Sequence, residues 1–148
     1  MSDVKSIAEL LSEEGRFVGT TSGVSMEPLF SDRRDTIIVL KNDKRLKKYD
    51  VPLYRRGEDY ILHRVIRVLP DSYIIRGDNC EEKEYGIRDE DILGTLVAFY
   101  RKDKYYTVDN MLYKIYSFVV VNTHCLRFFA KKVRRKLSRI LRKLGLNK

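Results

Sequence analysis

The chain has 148 residues, 43% of them hydrophobic and 34% charged, with a formal net charge of +9. That length suits one domain with a real core, and that balance excludes a disordered chain in favour of a soluble globular one. The charge is unevenly placed: Asn110 to Lys148 carries eleven Lys or Arg and no acid, whereas positions 1–109 hold 19 basic against 21 acidic residues, a net of −2. A near-neutral body therefore carries a cationic tail, which points to an anionic partner such as a membrane surface or nucleic acid.

The first residues, "MSDVKSIAELLSEEGRF", contain no apolar run of signal-peptide length and include Asp3, Glu9, Glu13 and Glu14. They read as neither a secretory signal nor a membrane anchor, so the expected location is cytoplasmic. Val4, Ile7, Ala8 and Leu11 recur at helical spacing and Gly15 follows, which predicts a short amphipathic helix. From Phe17 the pattern becomes strand-like. "TIIVL" (36–40), "YILHRVIRVL" (60–69), "SYIIRG" (72–77) and "ILGTLVAFYR" (92–101) are rich in Ile, Val, Leu and Tyr and are separated by polar stretches, including 78–91. "HRVIRVLPDSYIIRG" predicts a hairpin turning at Pro70-Asp71-Ser72. Short strands at this spacing predict a mainly β fold, an antiparallel β domain over 1–109 with a short N-terminal helix.

The tail, 110–148, is predicted as a separate basic amphipathic helical segment. "MLYKIYSFVVVNTHCLRFFA" (111–130) is apolar but interrupted by Lys114, Asn122, His124 and Arg127, which makes it a poor spanning helix and a better interfacial or partner-docking one. Beyond it Phe129, Val133, Leu137, Ile140, Leu141 and Leu144 fall on one helical face, with Lys and Arg over much of the rest. The apolar stripe favours an anionic membrane surface or a protein groove over nucleic acid, and packing of that face on the chain's own domain is the alternative. Cys80 and Cys125, 45 positions apart with no ligand spacing around them, suit a reducing compartment better than a disulfide. His124 beside Cys125 lacks a second ligand pair, so no metal and no cofactor is expected.

Three short motifs carry chemistry. "SGVSMEP" offers Ser25 in a turn, "LHRV" offers His63 and "RGDN" offers Asp78. A serine attacks a peptide bond only with a base to take its proton and donors to hold the oxyanion. Neutral imidazole, with an ordinary pKa of about 6.5, can be that base near pH 7. Asp78 or a nearby acid could fix its tautomer, while Gly23 and the Ser25 N–H supply a turn and an oxyanion donor. Singly, each is a common structural feature; their joint occurrence and order favour a site.

"SGVSMEPLF", "DTIIVL", "YDVPLY", "ILHRVIRV", "IIRGDN" and "ILGTLVAFYR" occur in the order of the boxes of the type I signal peptidase family, and the chain resembles that family over Gly19–Arg101. The resemblance implies the β-rich catalytic fold shared with LexA-type self-cleaving repressors. It also implies Ser25 as nucleophile and His63 as base, in the Ser-His manner of the endoplasmic-reticulum and sporulation-type enzymes. Asp78 matches the aspartate of the Gly-Asp-Asn box, and Glu84, six residues later, matches the acid important in some of those enzymes. The third member therefore stays open between the two. One residue is added before Ser25 relative to the frequent Ser-Gly-Ser-Met form, which removes a hydroxyl from the oxyanion hole and leaves more to backbone amides. The expected function is a serine peptidase cutting a precursor or leader peptide. The alternatives are a silent peptide- or protein-binding module and a LexA-like self-cleaving regulator.

Overall fold

Ser6 starts the first helix. Its side chain accepts from the Glu9 N–H at 3.2 Å while the Glu9 carboxylate accepts from the Ser6 N–H at 2.7 Å, a capping box that sets α1 (Ile7–Glu14). Leu11 is the buried side of α1, and Gly15, at φ +67°, ends it in the left-handed conformation. The computed structural model describes residues 6–143; Val4 and Leu144, assigned by periodicity to the two terminal helices, lie outside the described residues.

Among the described residues nine strands follow: β1 (Arg16–Thr20), β2 (Thr36–Leu40), β3 (Pro52–Arg56), β4 (Asp59–Leu62), β5 (Arg64–Val68), β6 (Tyr73–Arg76), β7 (Glu84–Ile87), β8 (Ile92–Arg101) and β9 (Lys104–Thr107). All pairings are antiparallel. One sheet runs β1-β2-β8-β3-β4, with β9 also on β8, and the second runs β5-β6-β7. The long β8 is the spine. β2 lies along one edge, while β3 and β9 share the other, β3 at its start and β9 at its end. Bulges at Ile38/Val39 and Leu53/Tyr54 bend the large sheet, and its outer strands β1 and β4 curl round to line one cleft. The main core gathers Leu11, Phe30, Val39, Leu53, Leu96 and Phe99, and a second packs Leu46, Tyr54, Val65, Tyr73 and Ile75 between the sheets.

The fold is thus mainly β, a curled antiparallel sheet with C-terminal helices, and three details depart from the sequence reading. The run 60–69 is not one strand: it breaks at His63, β4 pairing with β3 in the large sheet and β5 with β6 in the small one. A continuous β-branched run carries no local mark of such a switch, because the partners decide it. β3 and β9 went unrecognised as strands, and β7 hides in the polar stretch 78–91. β3 opens on a proline, and its apolar run ends after three residues at Arg55.

The tail also starts later than composition suggests. α2 (Met111–Asn122) and α3 (His124–Lys143) are separated only by Thr123. Tyr113, Ser117 and Val120 on α2 and His124 and Phe128 on α3 are buried against the body, and Tyr113 belongs to the main core. From Phe129 to Lys143, however, no side chain is buried. No helix among the described residues is long and apolar enough to cross a membrane.

Candidate active site

Ser25 sits in a loop between β1 and β2 that is fixed from both sides. Met26, Leu29 and Phe30 plunge into the core, Phe30 edge-on to Phe99 with centroids 5.1 Å apart. Asp35, fully buried, accepts from the Ser31 N–H at 2.8 Å and from the Arg34 guanidinium at 2.8 and 2.9 Å. The Gly23 N–H donates to Asp32 Oδ1 at 2.7 Å, with Gly23 at φ +87°. That amide is therefore occupied, and the expected oxyanion role narrows to the Ser25 N–H, for which no protein acceptor is found among the described residues.

His63 occupies the corner where the chain leaves one sheet for the other. Its Nδ1 lies 2.7 Å from Glu84 Oε1, at the start of β7, and 3.3 Å from the Tyr54 hydroxyl on β3. Tyr54 donates to the same Glu84 oxygen at 2.7 Å, and Arg56 donates to Glu84 Oε2 at 3.0 Å. A carboxylate only accepts, so Nδ1 carries the proton and Nε2 keeps its lone pair. Burial pushes His63 below the ordinary imidazole range, opposed by the Glu84 hydrogen bond and charge. Burial would raise the Glu84 carboxyl, but the bonds from Tyr54 and His63 and the nearby Arg56 outweigh it and hold Glu84 below its usual range. At neutral pH the pair is a neutral imidazole on an ionised carboxylate.

Gly77 brings the other two elements together. A Cβ there would come within 3.0 Å of His63 Nε2, 2.7 Å of the Ser25 carbonyl and 2.7 Å of Cys80 Sγ. The Ser25 backbone and the basic nitrogen of His63 thus flank one residue that has room for no side chain. The next residues hold the serine loop: the Asn79 N–H donates to the Ser25 carbonyl at 2.8 Å, and the Asn79 side chain to the Val24 carbonyl at 3.0 Å. No hydrogen bond joins the Ser25 hydroxyl to Nε2 among the described residues. In substrate-free hydrolases such contacts are commonly long and tighten when substrate binds.

Asp78 is placed elsewhere, which corrects its assignment as the acid beside His63. Its carboxylate takes both forks of the fully buried Arg64, Nε and Nη2 each at 2.8 Å, and the Tyr116 hydroxyl at 3.0 Å. Arg64 Nη1 reaches the Ser117 hydroxyl at 2.7 Å, the Tyr49 carbonyl at 3.1 Å and the Tyr113 hydroxyl at 3.2 Å. Asp78 therefore ties β5 and the loop after β6 to α2, while Glu84 takes the histidine. Adjacent to His63 in sequence, Arg64 points the other way and claims the Gly-Asp-Asn aspartate. Sequence reasoning does not single out Tyr54, Arg56, Arg64 or Gly77; Tyr54, Arg64 and Gly77 stand inside the motifs that carry the resemblance, and Arg56 lies outside them.

A cleft of about 210 Å³ opens beside Ser25, lined by Phe17, Met26, Phe30, Leu53, Tyr60 and Leu62 among others. It lies between the outer strands β1 and β4, each with one edge unpaired within the large sheet. No group of three His, Cys, Asp or Glu among the described residues could hold a metal ion. His124 instead bonds the Cys80 carbonyl at 2.9 Å. No family model, no curated protein and no solved structure matches the chain.

Proposed function

We propose that the chain is a serine endopeptidase of the signal-peptidase and LexA-like kind, with Ser25 as nucleophile, His63 as general base and Glu84 as the acid that orients it. The observation that carries this reading is the line from Glu84 through His63 to Gly77: a half-buried carboxylate fixes Nδ1 at 2.7 Å, and Nε2 then faces Gly77, where a Cβ would meet both it and the Ser25 carbonyl. A base of this tautomer beside a serine on a pinned loop has the parts acyl transfer requires.

In the reaction His63 Nε2 takes the Ser25 proton as Oγ bonds to the scissile carbonyl carbon, and the Ser25 N–H receives the oxyanion. The tetrahedral species collapses by breaking the C–N bond, the leaving amine taking the proton from His63. Water then attacks the acyl-serine, His63 accepting its proton and returning it to Ser25 Oγ as the acid product leaves. The substrate is an extended segment that pairs with the unpaired edges of β1 and β4 and places an apolar side chain in the cleft. A precursor or leader peptide meets that description.

The test is cleavage of a proteome-derived peptide library, read by mass spectrometry as new termini. Wild type should cut; Ser25→Ala and His63→Ala should each lose cleavage while keeping wild-type thermal unfolding. Cleavage surviving in folded Ser25→Ala overturns the mechanism, and peptide retention without new termini turns the reading to a docking module.

A further inference from the structure

The two C-terminal helices carry an apolar face that nothing in the fold covers. On α3 it consists of Leu126, Phe129, Val133, Leu137 and Ile140, each between 45% and 68% exposed. On α2 it continues through Leu112, Ile115 and Val119. The spacing keeps helical phase across Thr123, as does the buried row on the opposite side, Tyr113, Ser117, Val120, His124 and Phe128. One side of the helix pair is thus bound to the body as far as Phe128, and the other is an exposed stripe, with α3 alone about 30 Å long by its rise per residue.

Charge identifies what covers the stripe. α3 bears nine Lys or Arg and no acid. Pairs such as Lys131–Arg135, Lys132–Lys136 and Arg135–Arg139 stand four apart and repel one another in water. An anionic surface relieves that repulsion while the apolar row between the cations leaves water. A second copy would instead bring two sets of nine cations together. A nucleic acid would neutralise the cations but leave the apolar row wet. We propose that α2 and α3 form an interfacial device that seats the chain on an anionic lipid bilayer, lying on the surface with the row from Leu126 to Ile140 immersed and the cations at the headgroups.

The device is firmly joined to the loop that holds Ser25. His124 bonds the Cys80 carbonyl at 2.9 Å, Lys131 donates to Asn79 Oδ1 at 2.5 Å, Lys132 pairs with Glu81, and Phe128 is buried between them. Membrane seating does not depend on the peptidase reading, because it involves neither Ser25 nor His63.

The test is co-sedimentation of the full chain with phosphatidylcholine vesicles, with and without about one third phosphatidylglycerol. The wild-type chain and Ser25→Ala should both partition to the anionic vesicles at least about tenfold more strongly than to the neutral ones, and less so as salt rises. Combined Phe129→Gln, Val133→Gln and Leu137→Gln should lower that partitioning about tenfold or more while keeping all the charge. Equal sedimentation of this variant, or none by wild type, overturns the proposal. So does a concentration-dependent dimer in ultracentrifugation that the triple variant abolishes, because the stripe is then a self-association surface.

Discussion

At the scale of single residues, two neighbouring acids have been given opposite work. Glu84 reaches the imidazole and Asp78 the buried guanidinium, so their variants should fail in different ways. Glu84→Gln should reduce kcat about 10²- to 10⁴-fold in the peptide-cleavage assay, with thermal unfolding little changed, because besides the contact with His63 it alters only the bond from Tyr54 and a half-exposed ion pair with Arg56. Asp78→Asn leaves the fully buried Arg64 without its counter-charge and should cost about 3–5 kcal/mol in denaturant unfolding. Loss of activity without loss of stability in Asp78→Asn would reverse the two roles. The pH profile follows from the same geometry. Only neutral His63 is a base, and burial shifts its pKa downward, so it stays neutral to lower pH than a free imidazole. The acid limb of kcat/KM should then have its midpoint below about 6.5, and a midpoint above that value would show that His63 gains more from Glu84 than it loses by burial.

At the scale of elements, the site depends on three connections meeting: the loop before β2, the corner between β4 and β5, and the turn after β6. Gly77 is where they touch, and a methyl group there has no space on any side. Gly77→Ala should therefore abolish cleavage by driving the Ser25 loop and His63 apart, and amide hydrogen exchange should quicken at Asn79, whose N–H holds the Ser25 carbonyl. Unchanged turnover in Gly77→Ala would mean that the serine and histidine work from a wider arrangement. The strands β2, β6 and β8 were legible in the sequence because each is a short local pattern. The switch of sheets at His63 was not, since a strand's partner is chosen by register and burial from elsewhere in the chain.

At the scale of the whole molecule, composition places a boundary near Asn110, but packing moves it. The hydroxyls of Tyr113, Tyr116 and Ser117 serve Arg64 and Asp78, so the body is incomplete without α2. A chain ending at Asp109 should fail to fold, by circular dichroism and hydrogen exchange, because it exposes a buried ion pair and part of the core. A chain ending at Ala130 keeps every buried residue of the helices and should unfold cooperatively close to the full-length temperature. Comparable folding of both truncations would restore the boundary drawn from charge.

The sequence by itself determined the β-rich body, the edges of β2 and β8, the presence of β6, the turn at Pro70 and the cationic, amphipathic end, because alternation, helical phase and turn chemistry are local. Ser25 and His63 stand in contexts that are singly common, and only their joint occurrence and order point to them. Tertiary structure alone decided which acid serves the histidine. Asp78 and Glu84 lie six positions apart with similar chemistry, and only the packing of Arg64 toward α2 and of Tyr54 and Arg56 toward β7 separates them. The ionisation and placement of a buried carboxylate depend on partners brought from distant segments, which local pattern does not encode.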